Sequence, residues 1–119
     1  MPKASPKTSY LRGRVYWVEL DPSKGAEIAK TRPCVILSTN EVNQHRKTVV
    51  VVPLTTTKTP AIAPLLLATP SMGEDSKARI EHIRGIDKSR IKAAIGDMDT
   101  ADLSAIEEAL RRVLRLNQV

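Results

Sequence analysis

The stretch KGAEIAKTRPCVIL, residues 24–37, sets Glu27, Lys30 and Arg32 in a small-residue loop at the lip of an apolar run. Charged loop residues are usually solvated, but a loop held rigid against a sheet is also where chemistry collects. A guanidinium such as Arg32 is a planar fork that grips phosphate oxygens in pairs. The competing role for Arg32 is structural, in an ion pair with Glu27. Lys24 and Lys30 add positive charge to the same loop. Thr55 and Thr56 follow VVVVPL at a strand end, where a hydroxyl can hydrogen-bond a phosphate oxygen or simply stabilise a turn. In ARIEHI, Arg79 and Glu81 stand two apart, so a regular strand carries both on one face. They could act as an acid–base pair or form a cross-strand ion pair. His82 has a side chain suited to proton transfer, yet a strand would turn it to the face opposite Glu81, as a half-buried structural residue.

These residues need a scaffold. At 119 residues the chain is long enough for one domain with a modest core. Hydrophobic residues make up 41%, which excludes a disordered chain. Aromatics are 3% and Phe is absent, so Val, Ile, Leu and Ala must build the core, and dimerisation would help a domain so short of large side chains. The net charge of +6 is uneven: residues 1–14 hold four bases and no acids, whereas residues 61–119 hold nine of each. Such a basic first half favours a polyanionic partner, either nucleic acid or an acidic protein. Cys34 is the single cysteine, so no intrachain disulfide can form, and its apolar setting predicts a small buried residue. One cysteine and two scattered histidines supply no metal-ligand cluster. The N-terminus lacks the apolar segment of a secretory signal, and no run reaches the roughly 20 apolar residues of a membrane span. The expected location is the cytoplasm.

Residues 1–10 read as a flexible basic tail and 11–119 as a single domain. RVYWVEL (14–20), PCVILS (33–38) and TVVVVPL (48–54) read as strands, the last buried on both faces. Residues 21–32 read as a loop, 39–47 as a polar connection with a helical turn, and 69–77 as a turn-rich link. LLLA (65–68), ARIEHI (78–83) and AAIGDM (93–98) read as further strands, with 84–92 a short connection. From Asp99 the period becomes helical, with Leu103, Ile106, Leu110, Val113 and Leu114 on one stripe. Asp99 or Thr100 can cap this helix, and Arg111, Arg112 and Arg115 suit its C-terminal dipole and a solvated face better than a binding patch. The pattern is mainly β: a compact antiparallel barrel-like sheet closed by a C-terminal helix.

GRVYWVELDPSKGAEIAKTRPCVILS followed by VVVVPLTT resembles the MazF/PemK-type endoribonuclease toxins of toxin–antitoxin pairs, and the resemblance continues in EHIRGIDKSRI and the terminal helix. It implies a small SH3-like barrel of CcdB/PemK type with a C-terminal helix. It implies a homodimer that cuts single-stranded RNA without a metal or other cofactor, and inhibition by a cognate antitoxin lying in the RNA groove. The residues implied in catalysis are Arg32 and Thr55, with Glu27 orienting Arg32 or touching substrate. Some members use an Arg and an Asp as acid and base where this chain has Arg79 and Glu81; the longer Glu arm alters that geometry. Lys24, Lys30, Thr56 and His82 are candidate substrate contacts. His82 replaces a usual glutamine, and Ala26 stands where some relatives carry histidine.

Metal-free RNA cleavage uses the neighbouring 2′-OH as nucleophile. It needs a base for that hydroxyl, an acid for the 5′ oxygen and positive charge on the phosphorane. Two other readings compete: a CcdB-like toxin that binds gyrase without catalysis, and a non-catalytic nucleic-acid-binding barrel. The first needs no phosphate clamp. The second needs exposed stacking aromatics, and the chain has three aromatic residues, with Tyr16 and Trp17 inside a strand.

Overall fold

The computed structural model describes residues 10–21 and 30–116. Its order is β1 (Arg14–Asp21), β2 (Lys30–Ile36), α1 (Asn40–His45), β3 (Thr48–Thr56), β4 (Leu66–Ala68), β5 (Ser76–Arg79), β6 (Arg84–Asp87), β7 (Ile91–Asp97) and α2 (Thr100–Leu114). Short 3-10 turns at Pro70–Met72, Ile80–His82 and Lys88–Arg90 link the later strands. The sheet is antiparallel, in the order β4-β5-β3-β2-β1-β7, with β6 also on β3. The mainly β class and the C-terminal helix therefore hold. Among the described strands β6 and β7 do not pair, so the barrel is loose rather than closed. Arg90 spans that gap: its Nη1 donates to the carbonyls of Glu19 (3.1 Å) and Leu20 (3.4 Å) at the end of β1.

β3 is the hub. Its first half pairs with β6 (Thr48↔Asp87 to Val51↔Arg84) and its last three residues with β5 (Leu54↔Ala78 to Thr56↔Ser76). Pro53 lies between the two sets. Leu37 N–H donates to the Val50 carbonyl at 2.8 Å, so even-numbered β3 residues bond toward β2 and odd-numbered ones toward β6 and β5. A proline has no N–H to give, and here that loss falls at the hand-over between partners. Pro33 follows the same logic. It is the fourth residue of β2, not the first, because β2 begins at Lys30. Its nitrogen faces β3 where the β2–β3 ladder, which starts at Cys34, has ended.

Strand alternation sorts the apolar residues into two cores. Val15, Val35, Val52, Leu54 and Ala78 face α2, packing with Ile80, Ile106 and Ala109. Tyr16, Val18, Cys34, Ile36, Val49, Val51 and Ile86 fill the barrel side. The valine run thus serves both, with Val49, Val51 and Val52 essentially inaccessible. Gly13 enters β1 at φ +92°, where a Cβ would meet Leu103 Cδ1 at 3.0 Å, so strand entry and helix share space only glycine leaves free.

Asp99 caps α2 by accepting from Asp102 N–H at 2.8 Å. Leu103, Ile106, Leu110 and Val113 contact the core. Leu114 departs from the expected stripe and is 49% exposed, since Arg115 adopts a left-handed cap that ends the helix one residue later. Arg111 pairs with Glu108 at i,i+3, as a solvated face would.

The larger departures lie in residues 76–92. ARIEHI is not one strand: β5 ends at Arg79 and Ile80–His82 is a 3-10 turn. Ile80 is fully buried in the helix-side core, and its N–H still bonds the Leu65 carbonyl at 2.9 Å in the β4–β5 register; the chain turns only after it, Ile83 N–H closing on the Ile80 carbonyl at 3.2 Å. Residues 84–92 are not a bare connection either. RGID has poor strand propensity, yet the valine edge of β3 recruits it as β6, and β7 begins at Ile91.

Two outcomes are expected. Asp102 is buried and accepts from Ser71 N–H (2.9 Å) and Ser71 Oγ–H (2.6 Å), tying α2 to the turn before β5. Asp102→Ala should cost about 2 kcal/mol, read as a lower denaturant midpoint with an unchanged m-value. Burial pushes the Cys34 thiol from 9.0 up to about 12, partly opposed by Arg84 and Arg32. The fold therefore favours the neutral thiol. That contribution is complete below about pH 9 and is lost as pH rises toward 12. Cys34 should resist alkylation at pH 8 in the native protein, and Cys34→Ala should flatten the alkaline loss of stability seen in urea titrations.

Candidate active site

Arg32 extends from the barrel-side face of β2. Val18 is its partner across the ladder, and Cys34 follows on the same face. On β3 that face carries Val49, Val51, Pro53 and Thr55. Cys34 opposes Pro53 as the last pair of the β2–β3 ladder, and Arg32 and Thr55 lie one alternation beyond it on the same barrel-side face. On the other side of β3, Thr55 opposes Lys77. Arg79 lies on the face of Lys77 by alternation, and Arg84 opposes Val51 at the start of β6. The hand-over at Pro53 is thus ringed by Arg32 and Thr55 on one side and Lys77, Arg79 and Arg84 on the other.

The ring is strongly positive. Among the described residues, no carboxylate lies within ion-pair distance of Arg32, Arg79 or Arg84; the ion pairs there involve other cations. Lys77 is almost buried and donates from Nζ to the Thr57 carbonyl at 2.8 Å, fixing the chain just after Thr55. Strands hydrogen-bonded into the sheet beneath these side chains prepay much of the ordering cost of gripping an anion.

Arg79 and Glu81 do not share a strand face, since Glu81 sits on the 3-10 turn. They nevertheless border one open pocket of about 280 Å³, lined by Thr57, Thr59, Leu65, Leu66, Arg79 and Glu81. His82 is not turned away from Glu81: its Nε2 lies 3.8 Å from Glu81 Oε2, and both are solvent-accessible. Thr56 alternates to the opposite face, where it edges a second cavity of about 210 Å³ with Trp17, Pro33, Leu54, Met72, Ser76 and Ile95; that cavity also reaches Thr55. Lys30 opens β2, in register with Asp21. Lys24 and Glu27 lie outside the described residues.

The sequence reading overlooked Lys77 and Arg84. Both fell in segments read as links; Arg84 begins the short RGID segment that pairs with the valine edge of β3. No group of three or more His, Cys, Asp or Glu side chains that could hold a metal ion occurs among the described residues. No helix among them is long and apolar enough to cross a membrane.

Known proteins share this chain's sequence pattern and fold. Residues 11–114 match the family of PemK-like, MazF-like toxins of type II toxin–antitoxin systems. The endoribonuclease MazF9 of Mycobacterium tuberculosis is 35% identical, over 88% of this chain and 96% of that protein. A mycobacterial endoribonuclease solved in complex with its cognate antitoxin superposes with TM-score 0.71 at 29% identity, covering 92% of this chain and 96% of that one. A MazE–MazF complex from Deinococcus radiodurans gives TM-score 0.77 at 21% identity, covering 90% and 96%, which speaks for the fold. The chain belongs to the PemK-like, MazF-like toxins of type II toxin–antitoxin systems, and its activity class is that of an endoribonuclease toxin.

Proposed function

We propose that the chain cleaves single-stranded RNA at specific sequences by attack of the substrate's own 2′-OH, leaving a 2′,3′-cyclic phosphate and a 5′-OH. The observation that carries this reading is the ring around Pro53, where a guanidinium, a hydroxyl and further cations converge on one rigid face. Arg32 binds two non-bridging oxygens of the scissile phosphate and stabilises the phosphorane. Its guanidinium stays protonated at any working pH and is a poor base. Thr55 donates its hydroxyl to a phosphate oxygen.

Glu81 accepts the 2′-OH proton from its place beside Arg79, and Arg79 adds positive charge and donates toward the departing 5′ oxygen. His82 and Thr56, with Lys24 between β1 and β2 and Lys30 at the start of β2, contact flanking substrate, and Glu27 orients Arg32. No cofactor enters this scheme. A gyrase-directed protein with no catalysis would have no use for such a clamp.

The partners follow from the same surface. The basic face would accept an acidic antitoxin segment in place of RNA, consistent with a similar mycobacterial structure that contains its cognate antitoxin. The protein acts in the cytoplasm, where RNA substrate is present. Residues 11–119 form the working domain and 1–10 a basic tail. A homodimer is supported by apolar surface: Trp17 is 43% and Ile95 40% exposed on adjacent strands, and among the described strands β7 pairs with β1 alone.

Purified protein given long single-stranded RNA in excess EDTA should yield discrete fragments with the stated ends. Replacing the 2′-OH by hydrogen at the cut site should abolish cleavage and leave a competitive inhibitor, because phosphate contacts carry most of the affinity. Efficient cutting of that deoxy substrate would mean water is the nucleophile and would end this reading. Arg32→Ala should lower kcat/KM by about 10²–10³ with circular dichroism unchanged, Arg32→Lys should restore little, and Glu81→Gln should lower kcat by about 10²–10⁴. An Arg32→Ala protein of normal activity would move the chemistry to Arg79 and Glu81. For the dimer, sedimentation at micromolar concentration should show one species of twice the chain mass, converted to monomer by Trp17→Glu with Ile95→Glu; a wild-type monomer would contradict it.

A further inference from the structure

Arg84 stands at the start of β6, held by the Val51↔Arg84 register on the same barrel-side face as Arg32. Ile86, two residues on, is 3% exposed and packs into the barrel-side core, so the strand that carries Arg84 is anchored while Arg84 itself remains exposed. The acid of β6, Asp87, alternates to the other face and accepts from Ser89 N–H at 2.8 Å. Among the described residues nothing neutralises Arg84. Both Arg84 and Arg32 act electrostatically on the buried Cys34 thiol that lies between them.

A strand that opens by presenting a guanidinium with no ion-pair partner among the described residues, beside the proposed catalytic ring, is a binding element. We propose that Arg84 holds a phosphate of the substrate next to the scissile one, so that the site grips two successive phosphates of one RNA strand. This rests on the RNA-cleaving reading above.

Strand spacing favours a flanking contact over the scissile one. Arg32 and Arg84 lie on strands on either side of β3, about 10 Å apart across the sheet at the usual spacing, and they are offset by four residues along it. Two forks rooted that far apart suit neighbouring phosphates better than one. Arg84 therefore binds ground state and transition state alike. Its loss should raise KM and leave kcat nearly untouched, unlike the loss of Arg32.

The probe is a short RNA with a single 2′-deoxy nucleotide at the cut site, which binds without being cleaved. In wild-type protein its dissociation constant should rise with salt; absence of any salt-dependent binding would fail the RNA reading itself, before Arg84 is tested. Arg84→Ala should weaken binding about tenfold and reduce the slope of log affinity against log salt by about 0.7, the release expected for one single-strand phosphate. Arg84→Lys should keep the slope and recover part of the affinity. A neutral methylphosphonate is then placed in turn at each phosphate flanking the cut. At one position it should weaken wild-type binding and have little further effect in Arg84→Ala.

With the cleavable RNA, Arg84→Ala should raise KM about tenfold at unchanged kcat. Unchanged affinity and slope in Arg84→Ala would overturn the proposal. So would a fall in kcat at constant KM, which would place Arg84 on the scissile phosphate. Additive losses at every methylphosphonate position would overturn it as well.

Discussion

The structure turns on β3's change of partner at Pro53. One strand serves β6 with its first half and β5 with its last three residues. A residue must sit at the hand-over whose backbone nitrogen needs no partner, and proline is that residue. Residues 80–83 must cross the gap between the two partners. They do so with a 3-10 turn pinned by the buried Ile80. The crossing brings Arg79, Glu81, His82 and Arg84 to the mouth of the barrel, opposite Arg32 and Thr55. The geometry of the proposed site is therefore a consequence of how the sheet splits.

The same arrangement explains how a small core with few aromatics can hold a positive cluster. Four cations near one floor repel each other, and the cost is met by strands packed on both faces. Cys34, Val35, Val51 and Val52 are all fully buried beneath the ring. Lys77, the most buried of the cations, has its charge tied to a backbone carbonyl. The free guanidinium groups remain at the rim, where water screens them until an anion arrives. Rigid positions and an unmet need for negative charge are the two conditions for a preorganised phosphate site.

Much of this was legible in the sequence. β1, the body of β2, β3 and α2 announce themselves by composition and period, and the RPCVIL and PLTT segments carry the family resemblance. Arg32 and Thr55 could be picked out because they stand at the ends of strands that are unmistakable alone. The segment 76–92 was not legible because its structure is borrowed. RGID becomes a strand only against the valine edge, and ARIEHI alternates well enough to imitate a strand while Ile80 is claimed by the other core. Once the strand was misjudged, Glu81 and His82 went to opposite faces on paper, whereas the turn sets them side by side. Arg84 was lost for the same reason.

The central claim is that the β2–β3 residues and the crossing segment act on one phosphate. A double-mutant cycle measures that directly, using single-turnover cleavage of one RNA by wild type, Thr55→Val, Glu81→Gln and the double variant. If both side chains serve one reacting centre, the losses are strongly non-additive, the double variant being little slower than the worse single one. Additive losses would mean that Thr55 and Glu81 work at separate places, and the single site around Pro53 would be wrong.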